Sequence, residues 1–391
     1  MGKRAKKDHL ELFRGLAILA VLMIHVTSTP IVTLPMNSTL YPLYHIVNTV
    51  SHFAVPAFIF LSALVMFYQY DDVQKHSWSS FFFKRFQVIA IPYVLWSIFY
   101  YVLVIRIEGK TIEESWPSFL KHLLIGSNYP HLYFIIVIVQ FYLLFPLLHR
   151  ILYQKAIRTH LLSVGILSQT AFYLLNYHYW HLKKIGSLAP SYLLFYCLGA
   201  SVGLAIQSTD GIFRMRKWIF YTWFLLAAAY SAQMWMQRAD PHWVPRSWLS
   251  AINFAADYSF CAISCLALLQ LSQLLSGLQW ARLRMFIYSI GATSLGIYYV
   301  HPFLLLVWRK KFMSNDPILY HPLTWIGGAI ALFLSWGFTV VIQRRTWGSL
   351  IVGKSAARRG KRNPLAVEPG HEPEKPSRQE NIQPRESSDS A

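Results

Sequence analysis

The stretch that decides the fold is LFRGLAILAVLMIHV, Leu12 to Val26. Apart from Arg14, Gly15 and His25, every residue in it is apolar. It reads as the start of a membrane span, because crossing the hydrocarbon core takes about 20 mostly apolar residues. A charged side chain at the centre of such a helix costs about 2.5–3.5 kcal/mol on insertion scales. Arg14 and His25 are 11 positions apart, which at about 100° per residue is three turns plus about 20°. They therefore share one helix face, about 16 Å apart along the axis. Arg14 at a boundary can extend its charge to the interface. His25 is too deep for that and needs a partner in the bundle or in a wet cavity, which makes it a candidate functional group.

The composition agrees with a membrane reading. Of 391 residues, 55% are hydrophobic and only 14% charged, about half the charge of an ordinary soluble domain. Mean hydropathy is +0.36, so apolar surface must face lipid. Ten apolar stretches are long enough to count as spans: 12–32, 47–69, 86–105, 131–149, 160–178, 190–207, 217–236, 249–273, 285–307 and 323–343. No internal repeat is evident. The fold expected is all-α, a polytopic membrane helix bundle of about ten transmembrane helices. The first span lacks a clear cleavage site and is expected to stay as an anchor.

The formal net charge of +19 does not indicate nucleic acid. Ten of the 36 Lys and Arg residues lie in the polar tail from Arg344 onward, and the rest punctuate the apolar stretches. With the N-terminus cytoplasmic, 26 of them fall on the inner side and ten on the outer, so both termini are expected to be cytoplasmic. Arg309, Lys310 and Lys311 sit outside in this scheme and break the trend. Residues 1–345 are expected to form the membrane domain. Residues 346–391, rich in Pro, Glu, Ser, Arg and Gln, are expected to be a disordered cytoplasmic tail. Cys197, Cys261 and Cys265 all fall in apolar segments, so no disulfide framework is implied.

Other polar groups join His25 in the apolar stretches. Lys84 and Arg85 open KRFQVIAIPYVLW, and can be either a cytoplasmic cation pair or ordinary positive-inside residues. His131 and Tyr133 open HLYF, as site residues or interfacial anchors. Ser294, Tyr298 and His301 lie on adjoining faces of IGATSLGIYYVHP. His301 can also cap the carbonyls freed by Pro302. Asp257 is an acid well inside a span: a relay group, a partner for an intramembrane His, or a hydrogen bonder to Asn253. HYWH, with His178 and His181, has metal-like spacing but no acidic company, and no metal is expected.

Together ELFRGLAILAVLMIH, KRFQVIAIPYVLW, HLYF and SLGIYYVHP resemble the acyltransferase-three family of integral membrane acyltransferases, over about residues 8–345. Within it the chain is most similar to the poly-N-acetylglucosamine succinyltransferase-like branch, which lacks an appended hydrolase-type domain. Three positions depart from the family pattern: Glu11 where Asp is frequent, Tyr133 where Trp is common, and Val88 where a further Arg often stands. The resemblance implies a multi-pass cell-membrane protein that moves an acetyl or succinyl group from cytoplasmic acyl-CoA to a hydroxyl of an envelope glycan or lipid-linked sugar. Acyl-CoA is then a co-substrate, with no cofactor. The resemblance implies His25 as general base and Arg14, Lys84 and Arg85 as donor-binding cations. Glu11, His131, Tyr133, Asp257, Ser294, Tyr298 and His301 would be in support. The alternative is a glycan exporter without chemistry of its own.

Overall fold

The computed structural model describes residues 5–70, 78–109, 111–208, 216–314 and 316–353. Among these the chain is helical throughout, with no strand. In order the helices are α1 (Ala5–Thr33), α2 (Tyr41–Val50), α3 (Ala54–Gln69), α4 (Trp78–Arg85), α5 (Ile91–Glu108), α6 (Ile112–Ile125), α7 (Tyr133–Leu152) and α8 (Lys155–Arg158). Then come α9 (Leu161–Leu175), α10 (Leu193–Ser208), α11 (Lys217–Ala239), α12 (Arg246–Gly277), α13 (Ala281–Ala292), α14 (Ser294–Lys311), α15 (Pro317–Gln343) and α16 (Gly348–Val352).

Seven segments are long and apolar enough to cross a membrane: Asp8–Thr33, Tyr41–Gln69, Trp78–Glu108, Tyr133–Leu152, Ala189–Gln207, Ser247–Gly277 and Ile318–Gln343. An eighth results if α13 and α14, bent by 80° about Thr293, count as one span. Eight of the ten stretches expected coincide with these segments. The other two are helical as well but less apolar. α9 runs on through a π-helical end, Asn176–Trp180, and carries Ser168 and Gln169. α11 carries Trp218, Tyr221, Trp223, Tyr230 and Gln233, where tryptophan and tyrosine suit the interface.

α1 is the hub, packing against α2, α3, α12, α13, α14 and α15. Its contact with α13 is made through two glycines. A side chain at Gly291 would strike the backbone oxygen of Glu11, and one at Gly15 the backbone oxygen of Ile287. Small residues of this kind let helix backbones approach in a bilayer, where packing rather than the hydrophobic effect holds helices together. This contact holds the Glu11–Arg14 turn of α1 against the bend at Thr293. Inside, Phe13 stacks on Phe60 at 6.0 Å within one continuous core that draws on most of the helices. Outside, Leu143, Leu147, Phe224 and Leu225 remain exposed, as lipid-facing side chains would.

Three local breaks matter for the site. Between α4 and α5 the chain makes a π-turn, Phe86–Ala90, a feature frequent at functional sites. Pro92 follows at the start of α5. In α14, Pro302 lacks an N–H, and nearby the Tyr100 hydroxyl donates to the Tyr299 carbonyl at 2.6 Å and accepts from the Phe303 N–H at 3.2 Å. It so bridges two groups that a regular α-helix joins directly. Of the segment 346–391 expected as a disordered tail, α16 packs on α15, α5 and α14, with the Trp96 indole donating to the Ile351 carbonyl at 2.9 Å. The remainder, from Lys354 on, lies outside the described residues.

Candidate active site

At one end of α1, Arg14 donates to the carboxylate of Glu11, one turn earlier. Glu11 is buried and Arg14 is partly exposed, so the acid anchors the guanidinium and leaves donors over. Arg14 lines a cavity of about 170 Å³ together with Ser62, Ile89, Tyr142, Ser294 and Tyr298. The Arg85 guanidinium lies 4.8 Å from the centre of the Tyr142 ring and 5.6 Å from that of Phe81. Tyr142 thus links Arg85 to the same cavity. The backbone of Lys84 is in α4, but its side chain lies outside the described residues.

At the other end of the same face, three imidazoles meet. The His25 ring is 5.1 Å from that of His301 and 6.4 Å from that of His131, and His131 and His301 are 6.2 Å apart, centre to centre. The chain positions separating them run from 106 to 276, so only the fold assembles this triangle. His131 arrives on the loop after Gly126, whose positive φ of 70° turns the chain back towards α7; positive φ is where glycine is favoured. Tyr298 donates to the backbone oxygen of His131, and the rings of Tyr100, Tyr129 and Tyr298 surround the His131 imidazole at 5.0, 5.5 and 5.0 Å.

The hydrogen bonds within this cluster are incomplete. His301 Nδ1 lies 2.7 Å from the Ile297 carbonyl. A carbonyl can only accept, so Nδ1 carries the proton, and in the neutral ring Nε2 offers a lone pair. That Nε2, like both ring nitrogens of His131, is buried with no partner among the described residues. Each is a polar atom able to bond a substrate group. No group of His, Cys, Asp or Glu among the described residues is arranged to hold a metal ion.

The remaining residues singled out fall elsewhere. Ser294 and Tyr298 line the Arg14 cavity, and Tyr298 joins that cavity to the histidines. His131 is buried, which removes the interfacial-anchor reading. Tyr133 lines a separate cavity with Ser127, Lys184 and Tyr192. Asp257 accepts from the Cys261 thiol at 3.6 Å, while Asn253 is engaged by Gln233. Asp257 is thus not a hydrogen bonder to Asn253, and the intramembrane His with which it interacts electrostatically is His52. Two contributors were missed. Tyr100 gave no signal beyond an aromatic in an apolar stretch. Arg309 did give one, as a cation that broke the charge pattern: its guanidinium donates to the backbone oxygen of His25.

The acyltransferase domain of the acyltransferase-three family matches residues 8–341. The chain belongs to this family. Among curated proteins, it is 24% identical over 313 residues to a Staphylococcus epidermidis protein named "Probable poly-beta-1,6-N-acetyl-D-glucosamine export protein", covering 77% of this chain and 82% of that one. It is 26% identical over 211 residues to a protein of the same name from Staphylococcus aureus strain MRSA252, covering 51% of this chain and 57% of that one. The match therefore spans little more than half the length of the latter. No solved structure matches the chain significantly. Family and helices together make this acyltransferase-three member a multi-pass membrane protein.

Proposed function

We propose that this protein moves an acetyl or succinyl group from cytoplasmic acyl-CoA to a hydroxyl of an extracytoplasmic cell-envelope glycan or lipid-linked sugar, at the cell membrane. The observation that carries the reading is the polar line along α1, from a cavity with cations at its rim to a cluster of histidines with open nitrogens. The donor phosphates bind the cations Arg14, Lys84 and Arg85 through charge-assisted hydrogen bonds. The slender pantetheine arm enters the cavity toward Tyr298. His25 accepts the proton of the acceptor hydroxyl, with His301 beside it. The new C–O bond forms at the thioester carbon, the C–S bond breaks, and the proton from the hydroxyl ends on the CoA thiol. A direct transfer of this kind needs one base and no covalent intermediate on the protein.

The names of the staphylococcal relatives favour a second reading, export of the glycan without chemistry. One experiment separates the two: ester-linked acyl groups released from envelope glycans by mild alkali, in a deletion strain complemented with wild type or His25→Ala at matched protein levels. Loss of one acyl species at unchanged glycan quantity is the expected result. Unchanged acylation with less glycan outside the cell would replace the enzyme reading with export.

A further inference from the structure

Beyond His25, at the end of α1 away from Arg14, lies a second cavity of about 250 Å³. Its walls combine two aromatic rings, Trp308 and Tyr320, three hydroxyls, Thr29, Thr33 and Thr324, and the guanidinium of Arg309. The rings are fixed. The Trp308 indole donates to the Leu323 carbonyl at 2.9 Å, and the Tyr320 hydroxyl lies 3.2 Å from that of Thr33. Flat rings beside hydroxyl groups suit a pyranose, which presents apolar C–H faces and a hydroxyl rim.

Arg309 adds charge to that surface. It spends one donor on the His25 carbonyl, and a guanidinium has five. No Asp or Glu lines this cavity, and no carboxylate pairs with Arg309 among the described residues. Exposed Lys310 and Lys311 follow it directly. The nearby acid in sequence, Asp316, is occupied in capping α15, accepting from the Ile318 N–H at 2.8 Å. A half-buried cation without a counter-charge favours an anionic ligand and disfavours a cationic one.

We propose that this cavity is the acceptor subsite and that it selects a saccharide carrying an anionic group, a carboxylate or a phosphate, next to the hydroxyl to be acylated. Arg309 holds the anion while its bond to the His25 carbonyl sets the distance from anion to base. The proposal rests on the acyl-transfer reading for the role of His25. The saccharide class rests on the cavity alone.

The test is equilibrium binding to the full-length protein in lipid nanodiscs. The probes are a hexasaccharide alternating glucuronate and N-acetylglucosamine, a neutral N-acetylglucosamine hexasaccharide, and N-acetylglucosamine 1-phosphate. The wild type should bind one anionic probe, uronate or phosphate, at least about tenfold more tightly than the neutral sugar, as a charge-assisted pair provides. Which of the two binds identifies the source of the anion. Arg309→Gln should bring anionic and neutral probes within about twofold, with Arg309→Lys retaining part of the preference. Because Arg309→Gln also removes a bond to α1, Met313→Glu serves as a second variant. It introduces a carboxylate on the same cavity wall without touching that bond, and should erase the preference equally. Equal binding of all three probes by the wild type, or an undiminished preference in Met313→Glu, overturns the proposal. Selective binding in a protein that transfers no acyl group to any acceptor would sink the reaction and leave this subsite standing. Efficient transfer to the neutral hexasaccharide without anion preference would sink the subsite alone.

Discussion

Two groups of histidines lie in the apolar part of this molecule, and they differ in how their nitrogens are used. In the first, His25, His131 and His301 face one another, and three buried ring nitrogens of His131 and His301 have no partner. In the second, His45 bonds the Ser231 carbonyl at 2.9 Å and His52 bonds the Tyr230 hydroxyl at 3.0 Å. His45 also rests between Tyr41 and Trp235. Both groups are shielded from solvent, so burial does not tell them apart. Unmet bonding capacity does. His45 and His52 each spend a ring nitrogen tying helices together, whereas His131 spends neither.

The largest test of this contrast is His301→Ala. Removing the lone pair beside His25 should lower kcat for acyl transfer by about 100-fold, within the range of a lost acid–base group, with the protein still inserted and monodisperse on size exclusion. Activity within twofold of wild type would mean that the open nitrogens of the first group are incidental. Next in size is Arg14→Gln. It should raise KM for acyl-CoA about tenfold with kcat little altered, since phosphate binding is common to ground and transition states. A fall in kcat at constant KM would move Arg14 from the donor's phosphates to the reacting centre. The smallest effect belongs to the second group. His52→Phe should leave turnover within about twofold and cost about 1 kcal/mol of stability, one hydrogen bond's worth, read as a lower midpoint of thermal unfolding in detergent. A large loss of activity there would erase the distinction.

What could be read from the sequence follows the same division. The Arg14–His25 axis was legible because both residues lie on one helix, where spacing alone fixes the face they share. The partnership of Arg14 with Glu11 was legible for the same reason. The family resemblance named His25, His131 and His301 but not the meeting of their rings, since no local rule links residues 25, 131 and 301. Arg309 is 284 positions from the residue it touches, and the charge pattern showed only that it was out of place. Tyr100 bridges the Tyr299 carbonyl and the Phe303 N–H of α14 from α5, a role that sequence spacing within either helix does not show. The apolar stretches that became α9 and α11 are the least apolar of the ten, because aromatic and amide side chains dilute them. Asp257, deep in an apolar helix, invited a pairing with an intramembrane His, and which one was invisible in the sequence: the fold sets it beside Cys261 and His52.

Tyr298 has one more consequence. The cavity at Arg14 and the cavity at Arg309 share no lining residue, and Tyr298, tethered to the His131 backbone, stands at the inner end of the first. On the proposed transfer, reactants would come from two compartments, and a continuous file of water between them would let protons run down their gradient. The buried Tyr298 ring, tied to the His131 backbone, would then act as a plug between the two cavities.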